Sequence, residues 1–299
     1  MAERARAGDQ PSQYFGEAHI SGGQYLGEAN ISGRPIVPGE ERVSRSVDAR
    51  GKAFVGCSGW SYPHWRGTVY DPRLKPREWF SAYARRFRTV EVNNTFYRLP
   101  APPTFETWAA QAPPGFVYAL KLSQYGTHRR KLREPENWLP TYAGRALLLG
   151  TALGPNLVQL PPRWKRDCGR LETFLQFATE DSCCPPSMRW AVEFRDPSWL
   201  HESTYDLLRR YNVALCAHDL LPEHPWLLTT NWAYSRFHGP AALSDKYSGE
   251  YGPERLAGPA AALGSWLDQG CDVYVYFNND ADGAAVRDAT WLSERLTSG

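Results

Sequence analysis

Short apolar runs alternate with longer amphipathic segments from residue 53 to the end of the chain. Eight of these runs have the length and the β-branched or aromatic content of buried strands, and they cover residues 53–57, 89–93, 116–122, 156–160, 190–195, 213–219, 233–238 and 272–278. Helical spacing is clearest at 76–87, 171–178, 205–211, 253–270 and 283–296. Between the sixth and seventh runs the segment LLPEHPWLLTTNW is short and broken by proline, so no good helix is expected there.

Strands that alternate with helices predict a parallel sheet in an α/β protein. Eight strands within about 245 residues agree in number and length with a TIM-type β/α barrel in which one or more helices are short or missing. A doubly wound open sheet is the alternative, but it usually needs fewer strands, and no glycine-rich phosphate-binding turn follows the first run. We therefore predict that residues 51–299 form a single barrel domain.

The first 50 residues have a different character. The segment QYFGEAHISG at 13–22 recurs as QYLGEANISG at 24–33, and the surrounding sequence is rich in glycine, serine and charge. Two copies of a repeat do not make a solenoid, and little apolar surface is available to bury. We predict a disordered or weakly ordered extension over residues 1–50, with a short docking peptide as the alternative.

Composition narrows the class of protein. Hydrophobic residues make up 42% of the chain and charged residues 22%, as in folded globular proteins, and the net charge of +2 predicts no broad basic surface for duplex DNA. No apolar run approaches the ~18 residues of a membrane span, and residues 1–10 lack the apolar stretch of a secretory signal. The six cysteines form no C-x-x-C pair. They predict reduced thiols in a cytoplasmic protein without a membrane partner.

Polar side chains gather near the C-terminal ends of the predicted strands, where β/α barrels form their ligand sites. In WAVEFRDPSW the side chains of Glu193 and Arg195 share one face, because strand side chains alternate. The other strand ends contribute Glu91, Asn93, Lys121, Gln159, Asp219, Arg236, His238 and Asn278, with His218 placed on the face opposite Asp219. Burial of so many unpaired charges would cost several kcal/mol each. We therefore predict that these groups surround one water-filled mouth.

The loops after the strands add rings and a basic run. Trp60 and Tyr97 follow the first and second strands, and such aromatic faces stack on sugars or bases, although loop packing is an equal alternative. His128 begins the run HRRKLR after the third strand and lies closer to the strand end than the arginines that follow it. We therefore interpret His128 as the site candidate in this loop.

Eight segments together resemble the YecE-like family, known as domain of unknown function 72. They are GCSGWSYPHWRGTVY, VEVNNTFYRLP, KLSQYGTH, LVQLPPRW, AVEFRDPSW, RFHGP, YSGEYGPERL and VYVYFNNDADGAAVRDA, in order from about residue 53 to 298. The resemblance implies a TIM-type barrel and says little about the reaction. Its motif positions fall on Glu91, Asn93, Thr95, Tyr97, Lys121, His128, Gln159, Glu193, Arg195, Arg236, His238, Tyr247 and Asn278. The sixth strand departs from the family pattern, because AHDL places His218 where relatives tend to have a small residue.

The first functional hypothesis is an enzyme that acts on a small polar or anionic compound, sugar-like or phosphorylated. Lys121, Arg195 and Arg236 would contact the anionic group. Acid–base chemistry would use Glu193 or Glu91 as the base and His238 or His128 as the acid, in a hydrolase, isomerase or lyase.

Other functional hypotheses remain open. No cofactor motif is found, but Glu193, Asp219 and His238 could hold a divalent metal in a layout that resembles xylose-isomerase-like barrels. A nucleic-acid-processing enzyme or binder of the endonuclease-like barrel type is a second hypothesis, which the low net charge does not favour. A non-catalytic ligand-binding protein is the third, since fold alone does not establish catalysis.

Overall fold

The computed structural model describes residues 49–181, 183–245 and 247–297. Its strands are β1 Ala53–Cys57, β2 Thr89–Val92, β3 Val117–Lys121, β4 Leu153–Gln159, β5 Trp190–Glu193, β6 Ala214–His218, β7 Trp232–Phe237 and β8 Asp272–Phe277. They form one parallel sheet in the order β1-β8-β7-β6-β5-β4-β3-β2. The predicted TIM-type β/α barrel is confirmed, whereas the predictions for residues 1–50, with their tandem repeat, lie outside the described residues apart from 49 and 50.

Helices follow almost every strand. They are α1 Trp79–Ala84, α2 Asn94–Tyr97, α3 Pro102–Gln111, α4 Leu139–Ala146, α5 Cys168–Glu180, α6 Glu202–Arg210, α7 Gly252–Asp268 and α8 Ala284–Thr297. Between β6 and β7, where residues 219–231 are all described, no helix forms. The proline-broken sequence predicted this gap in the outer layer.

One strand starts earlier than its sequence predicts. β4 begins at Leu153 rather than at residue 156, and so includes Gly154 and Pro155. A Cβ on Gly154 would lie 2.9 Å from the carbonyl oxygen of Tyr118 on β3, so glycine permits a close approach of the two backbones. The pairing of β3 with β4 also shifts register between Tyr118 and Leu120. The Gly-Pro pair, which reads as a turn in sequence, is therefore part of a strand with an irregular ladder.

The interior below the mouth is filled with aromatic and small side chains. Phe54 stacks on Tyr274 with ring centres 4.7 Å apart, and Tyr234 packs on Tyr276 at 5.2 Å. These rings form one interior cluster together with Ala119, Leu157, Ala191, Ala214, Cys216 and Trp232. Because this cluster closes the lower half of the barrel, a ligand site inside the barrel must lie above it, at the C-terminal strand ends.

A tyrosine hydroxyl joins the first and second strands. No backbone ladder links the described strands β1 and β2, which are the two ends of the sheet. The hydroxyl of Tyr83 instead accepts a hydrogen bond from Cys57 N at 2.8 Å and donates to Thr89 O at 2.9 Å. Gly56 allows this approach, because a Cβ there would lie 2.3 Å from Thr89 O. The barrel is thus nearly closed, and Glu91 is brought towards β1.

Within residues 49–181, 183–245 and 247–297, no helix combines the length and the apolar character that crossing a bilayer requires.

Candidate active site at the barrel mouth

Three charged side chains from different strands form what we call the buried charge cluster, Glu91, Glu193 and Arg236. Arg236 donates from Nη2 to Glu91 Oε1 at 2.8 Å and from Nη1 to Glu193 Oε2 at 2.6 Å. The two glutamates are 0% exposed and the arginine 1%. Two hydroxyls complete the bonding of Glu91, since Ser58 donates to Oε1 at 2.7 Å and Tyr234 to Oε2 at 2.6 Å. The sequence predicted that these charges converge around a water-filled mouth; they converge, but they are paired with one another and buried instead of lining a solvent-filled space.

The pKa values of the two glutamates do not suit the general-base role that the sequence predicted for them. Burial would raise the pKa of Glu91 and of Glu193, but the partners together outweigh it: Arg236 with the Tyr234 hydroxyl at Glu91, and Arg195 followed by Arg236 at Glu193. The pKa of Glu91 is therefore lowered and that of Glu193 lies well below its usual range. Carboxylates of this kind are weak bases at neutral pH. The geometry does not support either glutamate as the general base.

Arg236 also differs from its predicted role as a ligand contact. Its Nε, Nη1 and Nη2 all donate within the protein, to the two glutamates and to His238 Nε2 at 3.1 Å. With a side chain that is 1% exposed, it holds the cluster together beneath the mouth. We conclude that Arg236 positions its neighbours.

His238 is a neutral side chain with a defined proton. Its Nε2 faces Arg195 Nη2 at 3.2 Å and Arg236 Nη1, and a guanidinium can only donate, so Nε2 accepts. The proton therefore lies on Nδ1 and is donated to Asp219 Oδ1 at 2.8 Å. Burial, reinforced by the two arginines, lowers the pKa of His238 to about 4. Its single proton points at Asp219 and away from the mouth, which argues against the predicted general acid.

Asp219 fixes this arrangement from the loop after β6. Besides the ring proton it accepts the backbone N–H of His238 at 2.8 Å and the hydroxyl of Tyr251. Burial would raise the pKa of Asp219, but the bonds from His238 and Tyr251 lower it overall. The carboxylate is thus ionised and fully engaged, and it acts on the site through the orientation of His238.

The proposed metal ligands do not fit a cation. Both oxygens of Glu193 are bound by arginines, Asp219 is bound by His238 and Tyr251, and Nε2 of His238 accepts from two guanidinium groups. In the described part of the chain, no group of three or more His, Cys, Asp or Glu side chains is arranged to hold a metal. The donor set therefore gives no support to the metal-assisted alternative.

His218 lies on the opposite face from the one predicted. Cys216 belongs to the interior cluster, so by alternation His218 continues the interior face of β6, and Asp219 lies beyond the strand end. Its ring joins two strand ends, since Nε2 bonds to Phe194 O at 2.6 Å and Nδ1 accepts from Leu220 N at 3.1 Å. Burial lowers the pKa of His218 to about 3. A neutral ring with both nitrogens engaged is a structural link.

Lys121 ends β3 at the mouth, and its bonding differs from that of the buried charge cluster. In the described chain its Nζ has neither a hydrogen bond nor a carboxylate within ion-pair distance, although the residue is only 9% exposed. The ammonium lies 4.3 Å from the centre of the Phe96 ring on α2. Burial, followed by the positive charge of Arg236, lowers the pKa of Lys121 to about 7. Thr95 anchors the strand here by donating to Lys121 O at 2.7 Å.

His128 shares the Phe96 ring with Lys121. It lies on a short π-helix, Tyr125–Arg129, and packs edge-on against Phe96 with ring centres 5.0 Å apart. Its Nδ1 is 2.9 Å from the hydroxyl of Thr127, and among the described residues its Nε2 has no hydrogen-bond partner. Burial, followed by the charges of Lys121 and Arg195, lowers the pKa of His128 to about 4. At neutral pH it offers the mouth an uncharged imidazole.

Two further groups have unused bonding capacity. Arg195 donates from Nε to Glu193 and from Nη2 to His238, and its Nη1 has no partner among the described residues. Its side chain is 10% exposed. On β2's C-terminal side, the Oδ1 atom of Asn93 is buried and accepts no hydrogen bond. A buried acceptor without a donor is uncommon and indicates a place for a ligand group or an ordered water.

The remaining predicted ligand contacts are Gln159, Asn278, Tyr247 and Tyr97. Gln159 is 8% exposed and pairs in register with Glu193, and Asn278 follows β8, where its backbone N–H donates to Phe237 O at 2.7 Å. Tyr247 is 43% exposed with its ring 6.1 Å from that of His238, and Tyr97 is 71% exposed.

Trp60 is placed elsewhere than predicted. Its ring contacts Phe80, Trp108 and Tyr118, with centres 5.5 to 6.4 Å apart. Tyr118 is on the outward face of β3, so this contact belongs to the layer between strands and helices. Trp60 therefore packs in the core and does not line the mouth.

Three residues that bond to the site, Ser58, Tyr234 and Tyr251, were not predicted from the sequence. A signal for Tyr234 was present, since it lies two residues before Arg236 on the same face of β7. Ser58 and Tyr251 come from loops, where no periodicity shows the direction of the side chain.

Comparison with known proteins agrees with this architecture. UPF0759 protein YecE of Escherichia coli (strain K12) is 29% identical over 147 residues. The aligned part is 49% of this chain and 49% of that protein, so the chain spans about half the length of this relative. UPF0759 protein YunF of Bacillus subtilis (strain 168) is 23% identical over 273 residues, 81% of this chain and 94% of that protein.

Solved structures give the same result. The crystal structure of a DUF72 family protein from Thermotoga maritima has a TM-score of 0.72 at 28% identity, covering 82% of this chain and 99% of that one. A DUF72 family protein from Enterococcus faecalis shares the fold, with a TM-score of 0.65 at 18% identity over 83% of this chain and 96% of that one. The family model described as "Protein of unknown function DUF72" matches residues 54–299, and the chain therefore belongs to this family.

Proposed function

We propose that this chain is a cytoplasmic enzyme that binds a small anionic compound, sugar-like or phosphorylated, at the barrel mouth and acts on it by acid–base chemistry. The observation on which the proposal depends is a contrast within the mouth. The buried charge cluster is saturated by internal bonds, whereas Lys121 and one nitrogen of Arg195 have donors that bind nothing in the described chain. Unused cationic donors in a partly enclosed site favour an anion.

The neutral neighbours of these donors suit a polyhydroxylated ligand. Asn93 Oδ1 is a buried acceptor without a donor, and a ligand hydroxyl would satisfy it. Tyr97 and Tyr247 expose large parts of their rings at the edge of the site, where they could stack on a sugar face.

Acid–base work in this mouth is best assigned to Lys121. A general acid or base works best when its pKa lies near the operating pH. The pKa of Lys121 is lowered to about 7, whereas both glutamates are held ionised and the two histidines, His128 and His238, are neutral with pKa values of about 4. The reaction class stays within the predicted hydrolase, isomerase or lyase chemistry.

A thermal-shift screen tests the anion site. Sugar phosphates and the matching neutral sugars are added to the wild type, to Arg195→Gln and to the control Arg129→Gln, which changes an exposed arginine near the mouth. We expect the phosphorylated compounds to raise the Tm of the wild type and of the control, because ligand at 100 times Kd adds about 2.7 kcal/mol. In Arg195→Gln the shift should disappear.

The outcomes separate the hypotheses. An equal shift in Arg195→Gln, or no shift with any anion, contradicts the proposed site. Binding of single-stranded nucleic acid with a steep salt dependence, in place of sugar phosphates, would favour the nucleic-acid alternative. A ligand that binds normally to Lys121→Met and is not converted by the wild type would favour the non-catalytic alternative.

A further inference from the structure

We propose that Lys121 is a nucleophile that forms a covalent imine with an aldehyde or ketone carrying an anionic group. This inference rests on the proposed function, because it uses the same mouth, and it adds the class of substrate. It starts from the unpaired amine of a nearly buried side chain, which the binding of an anion alone does not explain.

The surroundings of Nζ leave the amine without a protein partner. In the described chain no hydrogen bond or ion pair engages Nζ, and the face of Phe96 lies on one side of it at 4.3 Å, in a cation–π contact that replaces a carboxylate only in part. A protonated lysine in such a place would normally be paired. Arg236 has the opposite surroundings, because its guanidinium lies between two carboxylates. The site thus stabilises a permanent cation on β7 and leaves the titratable amine on β3 without a carboxylate in contact, although Glu193 and Glu91 act on it at longer range.

The state of the amine agrees with this geometry. Since burial lowers the pKa of Lys121 to about 7, about half of the molecules have a neutral amine at pH 7. An ordinary surface lysine, with a pKa of about 10.4, is neutral in roughly one molecule in a few thousand at that pH. Desolvated lysines of this kind serve as Schiff-base nucleophiles in other enzymes.

The buried thiols are poorer candidates. Cys216 lies inside the barrel, where its Sγ is 3.9 Å from Glu193 Oε2, and burial raises the pKa of the Cys216 thiol well above its ordinary value. Cys57 is likewise buried with a raised pKa. A thiol that stays protonated is a weak nucleophile.

The chemical step is balanced without an oxidant. The Nζ lone pair of Lys121 attacks the carbonyl carbon, a C–N bond forms, and the carbonyl oxygen takes a proton as the nitrogen loses one. In the resulting carbinolamine the C–O bond then breaks, the hydroxyl leaves as water with the remaining N–H proton, a C=N bond forms, and the products are one imine and one water. Arg195, whose charge acts on Lys121, can donate from Nη1 to the anionic group of the substrate.

Reductive trapping tests the inference directly. The full-length protein is incubated at pH 7 with sodium cyanoborohydride and one of three probes: dihydroxyacetone phosphate, pyruvate or glyoxylate. Reduction of the imine adds the mass of the probe less one oxygen atom, and peptide mapping locates it. We expect at least one probe to label Lys121 ten times faster or more than the exposed Lys165 and Lys75.

Variants and pH give the controls. Lys121→Arg should lose the fast labelling, whereas Lys165→Arg, which changes an exposed side chain, should keep it. Labelling of Lys121 should be half-maximal near pH 7, and labelling of the surface lysines should rise only above pH 9. Because the wild-type peptide map gives the rate at Lys121 by itself, the test does not depend on the folding of any variant.

The possible failures are distinguishable. If glycerol 3-phosphate, which has no carbonyl group, raises the Tm of the wild type but not of Arg195→Gln, and no probe prefers Lys121, the imine is wrong and the anion site stands. If neither Arg195-dependent stabilisation nor selective labelling occurs, both proposals are wrong. Selective labelling of Lys121 that survives in Arg195→Gln would overturn the anionic part of the substrate class.

Discussion

Arg236 and Lys121 are both cations on the inner face of the same barrel, and they have opposite surroundings. Arg236 lies between Glu91 and Glu193, and its bonds are made before any ligand arrives. Lys121 lies over an aromatic ring with no carboxylate in contact within the described chain. The barrel mouth therefore contains two kinds of charge. Paired charges hold the strand ends in place, and an unpaired charge remains available for chemistry.

Removal of the central arginine should have the largest effect on stability. In Arg236→Met both glutamates would keep their burial, Glu91 would lose its main counter-ion and Glu193 one of its two arginines, and breaking a buried ion pair costs about 3–5 kcal/mol. Urea unfolding of the variant and of the control Arg77→Met, at an exposed position, measures the difference.

Removal of all three charges of the cluster together should cost less stability than removal of Arg236 alone. The triple variant E91Q/E193Q/R236M leaves no buried carboxylate without a counter-ion; only Arg195, whose side chain is 10% exposed, loses its partner, so the variant should be more stable than Arg236→Met alone. An Arg236→Met protein as stable as its control would show that the pairing does not hold the strand ends, and the first half of the comparison would be wrong.

Lys121→Met should raise the stability of the protein at pH 7, in contrast to Arg236→Met, which should lower it. In the wild type the folded pKa is about 7, whereas the unfolded chain has an ordinary value of about 10.4, so the unfolded state binds more protons between these values. Wild-type stability should therefore rise with pH in this window relative to the variant, by about 2–3 kcal/mol from pH 7 to pH 9. At pH 7 the variant should be the more stable protein.

Urea unfolding of the wild type, Lys121→Met and Lys165→Met at pH 7, 8 and 9 provides the measurement. Lys165 is exposed, and its removal should leave the pH dependence unchanged. A constant difference between the wild type and Lys121→Met across this range would place the pKa of Lys121 at its ordinary value and remove the contrast with Arg236.

The architecture was open to prediction because it depends on local patterns. Eight apolar runs with helical segments between them predicted the barrel, and proline at 222 and 225 predicted the absence of a helix before β7. Side-chain alternation placed Glu91, Glu193 and Arg236 on one face and at one end, so their convergence followed from the fold.

The roles of individual residues were not open to prediction in the same way. Whether a charge is paired depends on which side chains reach it across the barrel, and Tyr251 reaches Asp219 from a loop far along the chain. The direction of Trp60 has a similar cause, since a loop has no periodicity to separate the mouth from the outer core. His218 was assigned to the wrong face because a shift of one residue at a strand end reverses every side chain.

Asp219→Asn tests whether the hydrogen bonds of Asp219 hold His238 in place between the paired charges and the mouth. The aspartate accepts the Nδ1 and backbone protons of His238 and the hydroxyl of Tyr251, and an amide in its place would turn a donor towards one of these donors. Loss of charge-assisted hydrogen bonds of this kind should cost about 1.5–3 kcal/mol. Denaturant unfolding measures it, with Asp206→Asn on exposed α6 as the control; equal stability of the two variants would contradict the assigned bonding.

Asn93→Ala should have the smallest effect on stability, and for that reason it discriminates well. The buried Oδ1 of Asn93 accepts no hydrogen bond from the described residues, so truncation breaks no bond at that atom and leaves no new donor unpaired. We expect the free energy of unfolding to change by less than about 1 kcal/mol, or to rise slightly, because an unsatisfied acceptor is removed. The Tm shift caused by a sugar phosphate should nevertheless fall, since the acceptor offered to a ligand hydroxyl is gone. A marked loss of stability with an unchanged ligand shift would assign Asn93 to the paired, structural kind of polar group and leave Lys121 and Arg195 as the available groups of the mouth.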